Sequence, residues 1–110
     1  MQNTLQKIIS YTVQIADPDK IILFGSMSNG KANEYSDVDL LILSDNAGMK
    51  KETIAKIRSF SRELSLKVDV LYYSNAEIEA AARFPNAFLT IILKSGKVVY
   101  ENQRLTTIIR

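Results

Sequence analysis

The chain predicts a β-sheet covered by helices, of the α/β or α+β class, and three observations predict it. Three short runs rich in β-branched residues and leucine, Lys20–Phe24, Val38–Leu43 and Val68–Tyr73, are each bounded by Gly, Ser, Asn or Asp. Apolar residues recur at helical spacing in the segments between and around them. The composition, 46% hydrophobic and 24% charged over 110 residues, is that of an ordinary globular chain able to bury one core, so residues 1–110 read as a single domain.

Each element has its own signal. Leu5, Ile8, Ile9, Thr12, Val13 and Ala16 lie on one helical face, and Asp17-Pro18-Asp19 ends that pattern. The run Lys20–Phe24 is too short for a helix and ends at Gly25-Ser26, which predicts a buried strand followed by a tight turn. Val38–Leu43, entered through Ser36-Asp37, reads as a central strand. From Met49 to Leu64, Ile54, Ile57, Phe60, Ser61 and Leu64 share a face, while Lys50, Lys51 and Lys56 belong to a solvated one. Val68–Tyr73 is the third strand, with Tyr72 and Tyr73 read as sheet packing. Ser74 and Glu77 have the spacing of a capping box that opens a short helix bearing Ile78, Ala81 and Ala82. A further helix is expected over Asn86 to Lys94 with Ala87, Phe88, Ile91 and Ile92 inward and Gly96 as its C-terminal cap, before a last strand at Lys97–Tyr100. The tail from Glu101 reads as a short helix or a partner-dependent segment.

Composition also excludes. Fourteen basic against twelve acidic residues give a net charge of +2, too balanced to imply nucleic-acid or membrane binding by charge alone. Without Cys there are no disulfides, thiol nucleophiles or zinc ribbons, and without His there is no Ser-His-Asp triad. No run reaches the roughly 18 apolar residues of a membrane span, and Met1–Lys20 lacks a leader pattern, so the expectation is a soluble cytoplasmic protein.

Acidic residues inside apolar strands demand a reason, because a buried carboxylate is costly unless paired or bound to metal. Asp37 and Asp39 are two residues apart, so the strand period points both to one face. Asp69 joins them if its strand lies beside theirs. Three anions in contact repel unless a divalent cation neutralises them, and oxygen-only ligation selects Mg²⁺ or Mn²⁺. Mg²⁺ in turn is commonly shared with substrate phosphates, for which the Gly25-Ser26 turn is a candidate cradle. Singly, each residue has a plainer reading: Gly25-Ser26 as an ordinary strand-ending turn, Asp37 as a solvated loop residue, Asp39 and Asp69 as edge or partner-facing charges, Lys31 as a surface lysine.

Gly25-Ser26, ten residues, then Asp37-Val38-Asp39 resembles the Gly-Ser-x10-Asp-x-Asp signature of the DNA polymerase beta-like nucleotidyltransferases. The Ser36–Leu40 context and Val68-Asp69-Val70 resemble the minimal members, MntA-like antitoxins encoded beside HEPN-domain toxins. The resemblance spans roughly Lys20 to Tyr100 and implies a small mixed sheet flanked by helices. It further implies that Gly25 and Ser26 hold a nucleoside triphosphate, ATP first among them, and that Asp37, Asp39 and Asp69 bind Mg²⁺ or Mn²⁺. Asp69 is also implied as acceptor of the attacking hydroxyl's proton. The implied reaction is transfer of AMP to a hydroxyl of a partner protein such as a HEPN toxin. One departure stands out. Many members have Gly-Ser-x-Ala-x-Gly with Arg nearby, whereas this chain reads Gly25-Ser26-Met27-Ser28-Asn29-Gly30 and offers Lys31 as the nearest cation, a point charge where Arg would bind bidentately. The alternatives are a catalytically silent antitoxin acting by binding, and a small-molecule nucleotidyltransferase subunit. No membrane or direct nucleic-acid partner is expected, and a homo-oligomer stays open.

Overall fold

Three hydrophobic strands and one mixed strand build a four-stranded sheet in the order β3-β2-β1-β4. The computed structural model describes residues 2–25, 38–84 and 87–102. Within them the chain runs α1 (Gln2–Ala16), β1 (Lys20–Phe24), β2 (Val38–Leu43), α2 (Lys50–Glu63), β3 (Val68–Tyr73), α3 (Asn75–Ala81), α4 (Phe88–Ser95) and β4 (Lys97–Glu101). The sheet is mixed: β1 is antiparallel to β2 and β4, and β2 is parallel to β3. The three strands predicted from apolar runs fall where those runs place them, with β3 at one edge, and β4 extends one residue beyond expectation.

The two sheet faces are covered unequally. Residues at alternate positions, Ile21 and Leu23 on β1, Leu40 and Ile42 on β2, and Val68 and Val70 on β3, form the larger core with Ile8, Ile9 and Ile57 from α1 and α2. Ile22, Leu41, Leu43 and Ile92 form the smaller core on the other face, with Phe24, Leu71, Tyr73, Ile78, Leu89 and Leu93 packed around it. Strand β2 is thus apolar on both faces, and every one of its residues except Asp39 is buried. Burying an aliphatic side chain of this kind contributes about 1.5–3 kcal/mol, which makes the half-exposed Asp39 the conspicuous position.

Local chemistry fixes the ends. Asp17 adopts φ 43° and is followed by Pro18, so α1 stops where the sequence says it must. The Ser74 hydroxyl accepts from the Glu77 amide at 3.1 Å while the Glu77 carboxylate accepts from the Ser74 amide, completing the capping box of α3. The Asn75 amide and side chain both donate to the Asp45 carboxylate, at 3.0 and 3.2 Å, and hold it below the usual carboxylate range. These bonds tie α3 to the far end of β2, away from Asp39.

Helix α4 corrects the expectation in two respects. It spans Phe88–Ser95, and its inward side chains are Thr90 and Ile92 with Leu89 and Leu93, whereas Phe88 and Ile91 are 60% and 51% exposed. With apolar residues at five of the eight positions, spread around the helix, periodicity cannot choose the inward face. Gly96 does cap the helix, yet with φ −76° rather than a left-handed turn. Glycine is needed there for space, since a Cβ would lie 2.5 Å from Ile22 Cγ2 and 2.7 Å from the Ile92 carbonyl oxygen.

Hydroxyls on the buried helix faces are mostly satisfied within their helices: Thr12 donates to the Ile8 carbonyl at 2.8 Å and Ser61 to that of Ile57 at 2.7 Å. Thr53 differs, because its hydroxyl oxygen is buried and has no hydrogen-bond partner among the described residues. Thr53→Val keeps the shape and removes an unsatisfied polar atom, so it is expected to raise stability by about 1 kcal/mol. A urea unfolding series checks this, and a lower midpoint for the variant would count against it.

Candidate active site

The chemistry-bearing residues gather at the end of the sheet where β1 finishes and β2 and β3 begin. Antiparallel register sets Phe24 opposite Asp39, and parallel register sets Asp39 opposite Asp69. Residues paired in register share a face, so Phe24, Asp39 and Asp69 form one row across three strands, on the face of the smaller core. Leu41 and Leu71 are the next residues of that face, and the row is therefore the point at which an apolar surface turns acidic. Asp39 is half-buried and Asp69 exposed on the edge strand.

Gly25 follows Phe24 directly and has φ 77°, a conformation that favours glycine. A Cβ built there would collide with Oδ2 of Asp39 and lie 3.3 Å from its Cγ. The strand-ending glycine therefore serves two purposes: it turns the backbone out of the sheet, and it lets the main chain pass directly against the Asp39 carboxylate. The sequence suggests the first purpose; the second depends on pairing across fourteen residues.

Among the described residues, no three acidic, His or Cys side chains converge as a metal cluster. Two members of the expected triad, Asp39 and Asp69, are brought into register; Asp37 lies outside the described residues, as do Ser26 and Lys31. Two oxygen donors facing one way, beside a main chain that approaches without a Cβ, fit a hard divalent cation shared with an anionic oxygen ligand.

The surroundings divide into an apolar and a basic side. Phe24 meets Phe88 edge to face, with ring centroids 6.2 Å apart, so the largely exposed Phe88 walls the row on the β1 side. Tyr72 faces away into the larger core and donates its hydroxyl to the Asn46 carbonyl at 2.9 Å, as packing requires. Tyr73 lies beneath the Lys50 ammonium, 5.4 Å from ring centroid to nitrogen. Lys56 pairs with Glu52 at 2.9 Å, an i,i+4 contact that raises the lysine's pKa and lowers the glutamate's. On the β3 side, Asp69 shares an open cleft with Arg58, Arg62, Ser65 and Lys67, a grouping that sequence reasoning missed because α2 and β3 meet only in the fold.

Residues 6–105 match the family Polymerase beta, Nucleotidyltransferase. A protein of Methanocaldococcus jannaschii named "Putative protein adenylyltransferase" is 45% identical over 53 residues, which are 48% of this chain and 52% of that protein. The match thus spans about half the length of that relative. Among solved structures, a "putative nucleotidyltransferase" from Sulfolobus solfataricus superposes with a TM-score of 0.60 at 16% identity, covering 94% of this chain and 83% of the other. A toxin-antitoxin crystallised with AMP-PNP gives a TM-score of 0.55 at 20% identity, covering 96% and 77%. The toxin-antitoxin MntA-HepT gives 0.54 at 19% identity, covering 98% and 79%. At these identities the structures establish a shared fold.

Proposed function

The chain belongs to the Polymerase beta, Nucleotidyltransferase family, and from that premise we propose that it transfers AMP from ATP to a hydroxyl of a partner protein. The observation that carries this reading is the register pairing of Asp39 with Asp69, with Gly25 passing against the Asp39 carboxylate. An in-line displacement needs little covalent help from the protein; it needs positioning and charge stabilisation. The acceptor oxygen attacks the α-phosphorus, the bond to the α,β-bridging oxygen breaks, and pyrophosphate leaves. The hydroxyl proton passes to a carboxylate, the role assigned here to Asp69 because it is exposed at the sheet edge, where an acceptor has access.

Asp39 and Asp69, with Asp37, would hold Mg²⁺ or Mn²⁺, which supplies Lewis-acid stabilisation to the phosphoryl oxygens when bound. Gly25 and Ser26 would hold the triphosphate through the turn, and Lys31 would add a cation. Phe24 and Phe88 give the row an apolar border on the β1 side. ATP binding measured by calorimetry is accordingly expected to weaken severalfold when EDTA is added. Equal affinity with and without EDTA would remove the metal from the reading.

The partner proposed is a HEPN-domain toxin, in keeping with the minimal nucleotidyltransferase signature and with the shared fold of the toxin-antitoxin MntA-HepT. Intact-mass analysis of such a toxin co-expressed with this chain is expected to show a shift of one or more AMP groups. An unshifted toxin that is nevertheless neutralised would favour the silent antitoxin. No helix among the described residues is long and apolar enough to cross a membrane.

A further inference from the structure

Three features take no part in the proposed chemistry: the apolar exposure of Phe84 and Ile91, the Asp19–Asn75–Asp45 cluster, and the arginine side of the cleft between α2 and β3. The cleft carries the inference furthest, because it opens onto Asp69 itself. Arg58 and Arg62 stand one helical turn apart on the exposed side of α2 and line it together with Ser65, Lys67 and Asp69. Neither arginine forms an ion pair among the described residues. These two arginines make the α2 side of the cleft positive, although the whole chain has a net charge of only +2.

The cleft also reaches the first two residues, Val68 and Asp69, of a strand with an open edge. β3 is the outermost strand of the sheet, and among the described residues no strand pairs with its outer side. The apolar side chains of β3 that face α2, Val68 and Val70, are already buried in the larger core. What the edge has left to offer is backbone N–H and C=O groups, the components of strand addition.

We infer that this cleft is the acceptor-binding site, and that it takes an extended acidic segment of a protein, paired along β3 and held by Arg58 and Arg62, so that a hydroxyl of the segment reaches Asp69. The inference rests on the proposed role of Asp69 toward the acceptor. Charge complementarity selects an acidic segment, since two guanidinium groups one turn apart bind carboxylates bidentately. The open strand edge selects a polypeptide over a nucleic acid: a phosphate backbone calls for a longer basic track and has no use for strand hydrogen bonds. The cations supplied here stand on the acceptor side of the row, so they do not replace the arginines that the Gly25-Ser26 loop lacks.

The test uses the full chain and three fluorescent probes: a peptide with Glu and Asp flanking a single Ser, the same peptide with Gln and Asn in their place, and an oligouridylate of equal charge. Anisotropy is read without nucleotide, and ATP affinity is measured separately by calorimetry. The acidic peptide is expected to bind about tenfold more tightly than its neutral counterpart at low salt, with the advantage falling as salt rises. Arg58→Glu combined with Arg62→Glu should abolish that advantage, and the milder Arg58→Gln with Arg62→Gln should reduce it; both positions are exposed, and circular dichroism verifies the fold. Methylating alternate backbone amides of the peptide should weaken binding as well, because strand pairing needs them. Equal binding of the two peptides, tighter binding of the oligouridylate, or indifference to both arginine substitutions would overturn the inference. The two readings fail separately: a chain that binds ATP but not the acidic peptide loses the cleft, whereas one that binds the acidic peptide but never ATP keeps the cleft and loses the transferase.

Discussion

Asp39→Asn is expected to reduce nucleotide transfer by about three orders of magnitude while leaving the fold intact. Asn preserves the size and shape of the side chain, so neither the Phe24 pairing nor the close approach of Gly25 is disturbed. What disappears is the negative charge in the middle of the row, and with it the capacity to hold a cation against a triphosphate. Asp69→Asn should give a comparable loss by removing the neighbouring carboxylate and the proposed proton acceptor. Stability should change little, because Asn keeps the size and shape of each side chain. The measurements are transfer of label from ATP to the co-expressed toxin, association with that toxin, and a thermal melt of each variant. Transfer should collapse while association persists. If both variants neutralise the toxin as well as the parent chain does, and the parent chain transfers no label, the silent antitoxin is the correct reading.

Much of this site is legible in the primary structure, for reasons that can be traced to particular residues. Val38–Leu43 is apolar on both faces except at Asp39, and a single charge in such a strand announces chemistry because burial alone would not tolerate it. Val68–Tyr73 carries its acid at the equivalent second position, so the parallel pairing that aligns Val38 with Val68 necessarily aligns Asp39 with Asp69. Long-range consequences are harder to read. The orientation of α4 is not encoded in its periodicity, because Phe88, Leu89, Ile91, Ile92 and Leu93 are all apolar and only packing against Ile22 and Leu43 selects among them. The basic cleft is hidden for a related reason: Arg58 and Arg62 look like ordinary members of a solvated helix face until β3 is laid beside them. Gly96 shows the opposite limit, a residue whose place was evident as a helix cap while its physical cause, contact with Ile22 across the sheet, was not.

Gly25→Ala is expected to be damaging out of proportion to the one methyl it adds. The backbone at this position has φ 77°, where a Cβ costs about 1–2 kcal/mol. The same methyl would collide with the Asp39 carboxylate, and because that carboxylate ends a short side chain it can move aside. Such movement relieves the collision but displaces the group on which the row depends, and misplacement of about 1 Å commonly costs on the order of a hundredfold in rate. The two effects can be separated. Gly25→Asn introduces a residue that tolerates left-handed backbone better than Ala does, yet it carries the same Cβ. Asn should therefore recover part of the stability lost in Gly25→Ala without recovering activity. Combining Gly25→Ala with Asp39→Ala removes the colliding carboxylate, so relative to Asp39→Ala alone that double variant should lose no more stability than the backbone term. Chemical denaturation of the single and double variants reads the stability component, and label transfer by the two Gly25 single variants reads the positional one. Full activity in Gly25→Ala would show that the main chain need not pass so close to Asp39, and the proposed cradle would then have to be abandoned.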